Sequence, residues 1–180
     1  NYGTFLGQGS VRGYVMGWAQ GPASEAQLDD MKRLVRQGME DGAFGLSTGL
    51  EYQPGSFAAT DEVAALVAET APFGGIYSTH VRSEGDAVVE AIREALEIGR
   101  LAGVPVNLSH LKIVHYWNWE KEDEVVRLIE EARASGQRVF ADVYPYRAPD
   151  YAVNRPLSEW AGALPPEHLL IVDGVPEELQ

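Results

Sequence analysis

Along the chain, short continuous apolar runs alternate with longer stretches in which apolar residues recur every three or four positions. The first pattern marks strands covered on both faces, the second amphipathic helices. A strand is expected over residues 4–6, then Gly7-Gln8-Gly9-Ser10 and a second apolar patch at 14–16. Past a loop at 20–24, Ser24-Glu25-Ala26-Gln27 has the form of a capping box, which predicts a helix start. That helix would bury Leu28, Met31, Leu34, Val35 and Met39 and stop at Gly42. A strand at 43–47 and a long loop at 48–55 follow. Thr60 is expected to cap a second helix with Val63, Leu66 and Val67 inside. A strand over 76–80 leads, with Asp86 as cap, into a third helix carrying Val88, Ile92, Leu96 and Gly99 and ending at Gly103. Next come a strand at 104–110, an aromatic loop at 115–119, a fourth helix over about 122–134 ending at Gly136, and a strand at 139–143. Beyond this the pattern degrades. Residues 147–180 read as an irregular segment, with a short helix at 157–164 and a short strand at 169–172.

The helix-ending glycines Gly42, Gly74, Gly103 and Gly136 are spaced 32, 29 and 33 residues apart, and each precedes an apolar strand. Strand and helix alternating at this period make βαβ units and a parallel sheet. An open doubly wound sheet concentrates its chemistry at one crevice, whereas a (β/α)8 barrel spreads it over many strand ends. Here successive strand ends carry unusual polar or aromatic residues, which favours a barrel. A whole barrel takes roughly 250 residues. The 180 residues are therefore expected to form a single partial barrel domain, a consecutive piece that does not close.

A net charge of −13 changes the list of partners. No cluster of Lys and Arg offers a phosphate-binding surface, so nucleic acid and anionic membrane are not expected. No apolar run is long enough for a membrane span. With no cysteine there is neither a disulfide framework nor a thiolate metal site, which fits a cytoplasmic protein. The chain begins with Asn-Tyr-Gly, in mid-pattern, so the true N-terminus is expected upstream.

Two strands end in a hydroxyl residue, a histidine and, two positions on, a cation: Thr79-His80-Val81-Arg82 and Ser109-His110-Leu111-Lys112. The histidines are 30 residues apart, about one strand-plus-helix unit. Imidazoles at neighbouring strand ends can approach one divalent ion, and zinc suits them. His80 and His110 are thus the candidate metal ligands. Strand alternation would place Ile76 and Ser78 with His80, and Val104, Val106 and Leu108 with His110, as files rising from an apolar barrel interior to a polar mouth. Arg82 and Lys112 are candidates for binding an anionic substrate group, or else form structural ion pairs. Asp142 either supports a metal-bound histidine or caps a loop. Tyr52, Tyr144 and Tyr146 can orient a substrate or simply pack their loops. His115 and His168 are expected to be structural. Gly7-Gln8-Gly9 lacks the pattern of a phosphate loop, and no Ser-His-Asp order is supported.

The run Gly42–Gly55 (GAFGLSTGLEYQPG), THVR at 79–82, SHLK at 109–112 and ADVYPY at 141–146 together resemble the N-acyl-D-amino-acid deacylase (D-aminoacylase) family of the amidohydrolase superfamily, over about residues 1–166. The resemblance implies a zinc-dependent (β/α)8 barrel of which this chain holds about strands 3–7, with His80 ending the fifth and His110 the sixth. It implies that both histidines ligate zinc, one or two ions being present in the full-length protein. It assigns Lys112, Tyr52 and Tyr144 to the substrate carboxylate, and the reaction to hydrolysis of the amide bond of N-acyl-D-amino acids or related D-peptides. The family's His-x-His, bridging ligand and general-base Asp have no counterpart here and are expected before Asn1 and beyond Gln180, so the fragment alone is expected to be inactive. The Gly-His segment usual in the family is Gly7-Gln8 here. The alternatives are a cyclic amidase of the dihydroorotase or hydantoinase kind and a metal-free barrel scaffold.

Overall fold

A computed structural model of the chain describes residues 2–145. The expected segment at 147–180, with Tyr146 and His168, lies outside the described residues.

The elements follow one another as β1 (Leu6–Gly7), α1 (Gln8–Met16), α2 (Glu25–Glu40), β2 (Gly45–Gly49), α3 (Thr60–Ala68), β3 (Ile76–His80), α4 (Val88–Ala102), β4 (Val106–Leu108), α5 (Glu122–Ala134) and β5 (Val139–Ala141). The five strands are all parallel and lie side by side in chain order. A doubly wound sheet reverses its strand order at the ligand crevice; this one never does, and it is the wall of an unclosed barrel.

Local chemistry explains the element ends. Ser24 and Gln27 form the full capping box that starts α2. Gly42, Gly74, Gly103 and Gly136 all have positive φ, between 69° and 103°, which lets each helix or turn hand over to its strand. Two expected caps fail. Ala59 and Ala87 stand at the N-caps of α3 and α4 without side-chain bonds. Thr60 instead donates to Glu94, and Asp86 accepts from Trp117 and Asn118. The patch at 14–16 is the end of α1, a helix whose buried residues are Gln8, Val11 and Arg12. Arg12 is wholly buried and forks onto Glu62 of α3 at 2.5 and 2.7 Å, so a charge, not an apolar stripe, anchors this helix.

One face of the sheet carries the core. Leu46, Tyr77, Val106, Leu108 and Val139 are buried there against Met31, Val35, Val63, Leu66, Ile92 and Ile129 of the helices. Thr48 and Thr79 sit on the same face and bond each other at 2.7 Å, and Thr48 also meets the Tyr77 hydroxyl. Burial pushes that hydroxyl up to about 12. Gly45 passes so near β3 that a Cβ would fall 1.9 Å from Ile76 O.

The opposite face corrects the expected apolar file. It presents Ser47, Ser78, Asn107 and Ser109, with Ile76 and Phe140 as its larger apolar members, and these are at most half-buried. Register pairs Ser47 with Ser78 and Ser78 with Asn107. Val106 and Leu108 belong to the helix side, so the expectation that they share a face with His110 is wrong. Among the described residues, no helix is long and apolar enough to cross a membrane.

Candidate metal centre

All the chemistry collects at the C-terminal ends of the strands. β3 runs as regular strand through His80, whose alternation with buried Tyr77 and Thr79 sends its ring to the polar face. β4 stops at Leu108. Ser109 still faces Ser78, with the two hydroxyls 2.9 Å apart, so simple alternation would send His110 back toward the helices. It does not go there, because His110 adopts φ 41°, a left-handed bend uncommon outside glycine. Asp142 holds the bend: its Oδ1 accepts the His110 N–H at 2.6 Å and its backbone carbonyl accepts Leu111 N–H at 2.8 Å. Asp142 also accepts from Asn107, and these bonds, Asn107 first, hold its carboxyl below the usual range.

The bend brings His110 Nε2 to 3.0 Å from His80 Nδ1. The outer nitrogen of each ring then finds a carboxylate. His80 Nε2 is 2.7 Å from Glu51 Oε2, and His110 Nδ1 is 3.0 Å from Glu84 Oε1. His80, Glu84 and His110 each offer one donor atom, all within 4.8 Å of one another. Two facing imidazole nitrogens backed by carboxylates suit a nitrogen- and oxygen-preferring divalent ion. Their 3.0 Å separation is near the edge of a zinc tetrahedron, roughly 3.3 Å for bonds of about 2.0–2.1 Å. The residues present therefore fit such an ion.

Lys112 lies within the same group. Its ammonium is 2.5 Å from Glu84 Oε1, 2.9 Å from His110 Nδ1 and 2.9 Å from His110 O. The Tyr144 ring centroid is 5.3 Å from this ammonium, and the Tyr52 ring is 4.8 Å from that of His80. A cleft of about 420 Å³ is bordered by Tyr52 together with Gln8, Ser47, Gly49 and Gly55.

Of the residues singled out by sequence, His80, His110, Lys112, Tyr52 and Tyr144 come together. Arg82 does not. Its guanidinium forks onto Glu94 with two 2.8 Å bonds and donates to the carbonyls of Ser56 and Ala58 at 3.0 Å. With four N–H groups so engaged it braces α4 against the loop after β2, the structural alternative for this residue. His115 stacks on Trp117 in the aromatic loop. Glu84 and Glu51 are the residues the sequence reading missed. Glu84 is 5% exposed and lies in the loop after β3, where a spacing of four from His80 fixes no contact.

No known family model matches the chain. Individual relatives do. The D-aminoacylase of Alcaligenes xylosoxydans xylosoxydans is 38% identical over 148 residues, 82% of this chain and 30% of its own length. The N-acyl-D-glutamate deacylase of the same organism is 37% identical over 146 residues, 81% of this chain and 30% of its own. The chain belongs to the N-acyl-D-amino-acid deacylase family. It spans about 30% of the length of the curated relatives it matches. Among solved structures of the family, N-acyl-D-glutamate deacylase from Bordetella bronchiseptica, complexed with zinc and a phosphonate inhibitor, superimposes with a TM-score of 0.78 at 34% identity, covering 81% of this chain and 31% of that one. The deacylase family sits within the amidohydrolases, in agreement with the barrel wall seen here.

Proposed function

We propose that this chain supplies the His80–His110 half of a zinc site in an enzyme that hydrolyses the amide bond of N-acyl-D-amino acids. The observation that carries the reading is the facing pair of His80 Nδ1 and His110 Nε2, each ring backed by a carboxylate, with a lysine ammonium alongside. The named activities and the zinc complex of its relatives support it. A zinc ion in such a place polarises a carbonyl and supplies a water of lowered pKa.

The chain's own residues divide the remaining work. His80 and His110 are the ligands. Lys112 offers a point charge to the carboxylate that every N-acyl amino acid carries. Tyr52 and Tyr144 flank the ligands and that lysine and limit the poses a substrate can take. Arg82 is left out because its bonds are committed to Glu94 and the Ser56 and Ala58 carbonyls. Among the described residues none matches the general-base Asp that the family resemblance implies, so the 180-residue chain alone should show no deacylase turnover.

The test is zinc analysis and hydrolysis by the full-length protein, with N-acetyl-D-amino acids set against their L-enantiomers, hydantoins and dihydroorotate. Zinc retention with D-selective linear deacylation is expected. Turnover confined to the cyclic amides, or a protein with no bound divalent ion, would overturn the reading.

A further inference from the structure

Glu84 has three neighbours that compete for one oxygen. Its Oε1 lies 2.5 Å from Lys112 Nζ, 3.0 Å from His110 Nδ1 and 3.9 Å from His80 Nδ1. It is a carboxylate buried to 5% exposure beside the ligands, and its place admits two roles. As a third ligand its Oε1 would have to reach an ion held between His80 Nδ1, 3.9 Å away, and His110 Nε2. That oxygen is already bound by the Lys112 ammonium at 2.5 Å, and a metal on the same oxygen would meet a second cation beside it. The other role follows from the imidazole ring. The two nitrogens of His110 point in different directions, Nε2 to His80 and Nδ1 to Glu84 and Lys112.

Two placements of the His110 proton differ at the 3.0 Å contact between the histidines: it is a hydrogen bond in the first and needs a cation between two lone pairs in the second. With the proton on Nε2, it is donated to His80 Nδ1, and Nδ1 accepts from Lys112. All three N–H groups of the ammonium are then used, on Glu84, His110 Nδ1 and the His110 carbonyl. With the proton on Nδ1, it is donated to Glu84, Nε2 keeps a free lone pair, and one Lys112 N–H loses its acceptor. Only the second placement is compatible with a metal at Nε2.

We propose that Glu84 is a positioning residue, not a ligand: it holds the proton on His110 Nδ1 and so presents Nε2 to the metal, and by the same bond it frees one Lys112 N–H for the substrate carboxylate. Metal loading and carboxylate binding are thereby coupled through one buried oxygen. Glu51 stands to His80 Nε2 as Glu84 stands to His110 Nδ1.

This inference rests on the proposed zinc deacylase reading, and its test separates the two. In the full-length protein, Glu84→Ala and the isosteric Glu84→Gln are compared with wild type by zinc affinity in chelator competition, by zinc X-ray absorption, by ¹⁵N shifts of the His110 ring and by KM against kcat. Glu84→Ala is expected to lower zinc affinity about 10- to 100-fold with the number of metal donors unchanged. Glu84→Gln still accepts the Nδ1 proton. It should recover most of the zinc affinity and the Nδ1–H signature, and KM, raised in Glu84→Ala, should fall back toward the wild-type value. Loss of one oxygen donor from the metal in Glu84→Ala, or unchanged zinc affinity in both variants, would overturn the role of Glu84. A wild-type protein without zinc overturns both proposals. Zinc changes as expected in an enzyme that spares N-acyl-D-amino acids would overturn only the substrate reading.

Discussion

The ends of β3 and β4 carry the same pattern, hydroxyl-His-x-cation, and finish differently. β3 stays extended through His80, and the cation two places on, Arg82, is drawn to Glu94 on α4. β4 stops two residues before His110, the backbone turns left-handed there, and the cation two places on, Lys112, lands on Glu84 beside both histidines. The difference lies in the acid each cation meets. Glu94 sits on the helix layer and makes Arg82 a brace; Glu84 sits in the loop over the strand ends and makes Lys112 part of the site. Equal spacing in sequence therefore gave one cation bound into the scaffold and one set beside the histidines.

The comparison breaks first at the histidines. In the full-length protein His80→Ala or His110→Ala should lose bound zinc and drop turnover on the order of 10³-fold or more. Metal analysis checks this, and a variant that keeps stoichiometric zinc would dissolve the pairing of the two strand ends. Next, Lys112→Ala should raise KM for N-acyl-D-amino acids about 10- to 100-fold, the loss of a charge-assisted bond of about 1.5–3 kcal/mol, while the urea midpoint falls less than in Arg82→Ala because the buried Glu84 keeps His110 Nδ1 as a partner. Steady-state kinetics beside equilibrium unfolding would show it. Arg82→Ala should do the reverse, costing about 1–3 kcal/mol of stability through the orphaned Glu94 and the loss of the bonds to Ser56 and Ala58, with KM little changed. If Arg82→Ala instead raises KM without loss of stability, its assignment as a brace is wrong.

The smallest effect concerns pH. Burial alone would raise the Glu94 carboxyl, but hydrogen bonds from Arg82 and Thr60, with the Arg82 charge, outweigh it and hold the group below its usual range. A depressed folded-state value means that the unfolded chain takes up the proton first. The stabilisation is complete above the ordinary glutamate range near ~4.3 and is lost as pH falls through the lower folded value. Unfolding followed from pH 6 to 3 should therefore be less steep in Glu94→Gln than in wild type.

The sequence made much of this readable for identifiable reasons. Ile76–His80 and Glu122–Ala134 appear where the apolar periodicity put them, because their neighbours are a covered sheet and an amphipathic face. The capping box at Ser24 and the left-handed glycines are local devices, set within a few residues. α1 was hidden because its anchor is Arg12 paired with Glu62, 50 positions away, and periodicity of apolar residues has no term for that. The polar file of Ser78, Asn107 and Ser109 was hidden because its partners are one another across strands. Glu84 meets Lys112 across 28 positions, and only the tertiary fold makes that acid one of the group. Each histidine was legible as a strand end, but the bend that aims His110 depends on Asp142, 32 residues on.

That last dependence sets an order of events during synthesis. The chain emerges N-terminus first. His80 can take its place once β2 and β3 have paired, since Leu50 N–H already bonds its carbonyl. His110 has no such early support: the carboxylate that receives its N–H arrives with β5. A nascent chain ending before Asp142 would have one imidazole aimed and the other without the bond that fixes its bend. On the proposed reading, zinc at this pair would thus be a late acquisition, a seal set after the fifth strand docks and not a nucleus around which the sheet assembles.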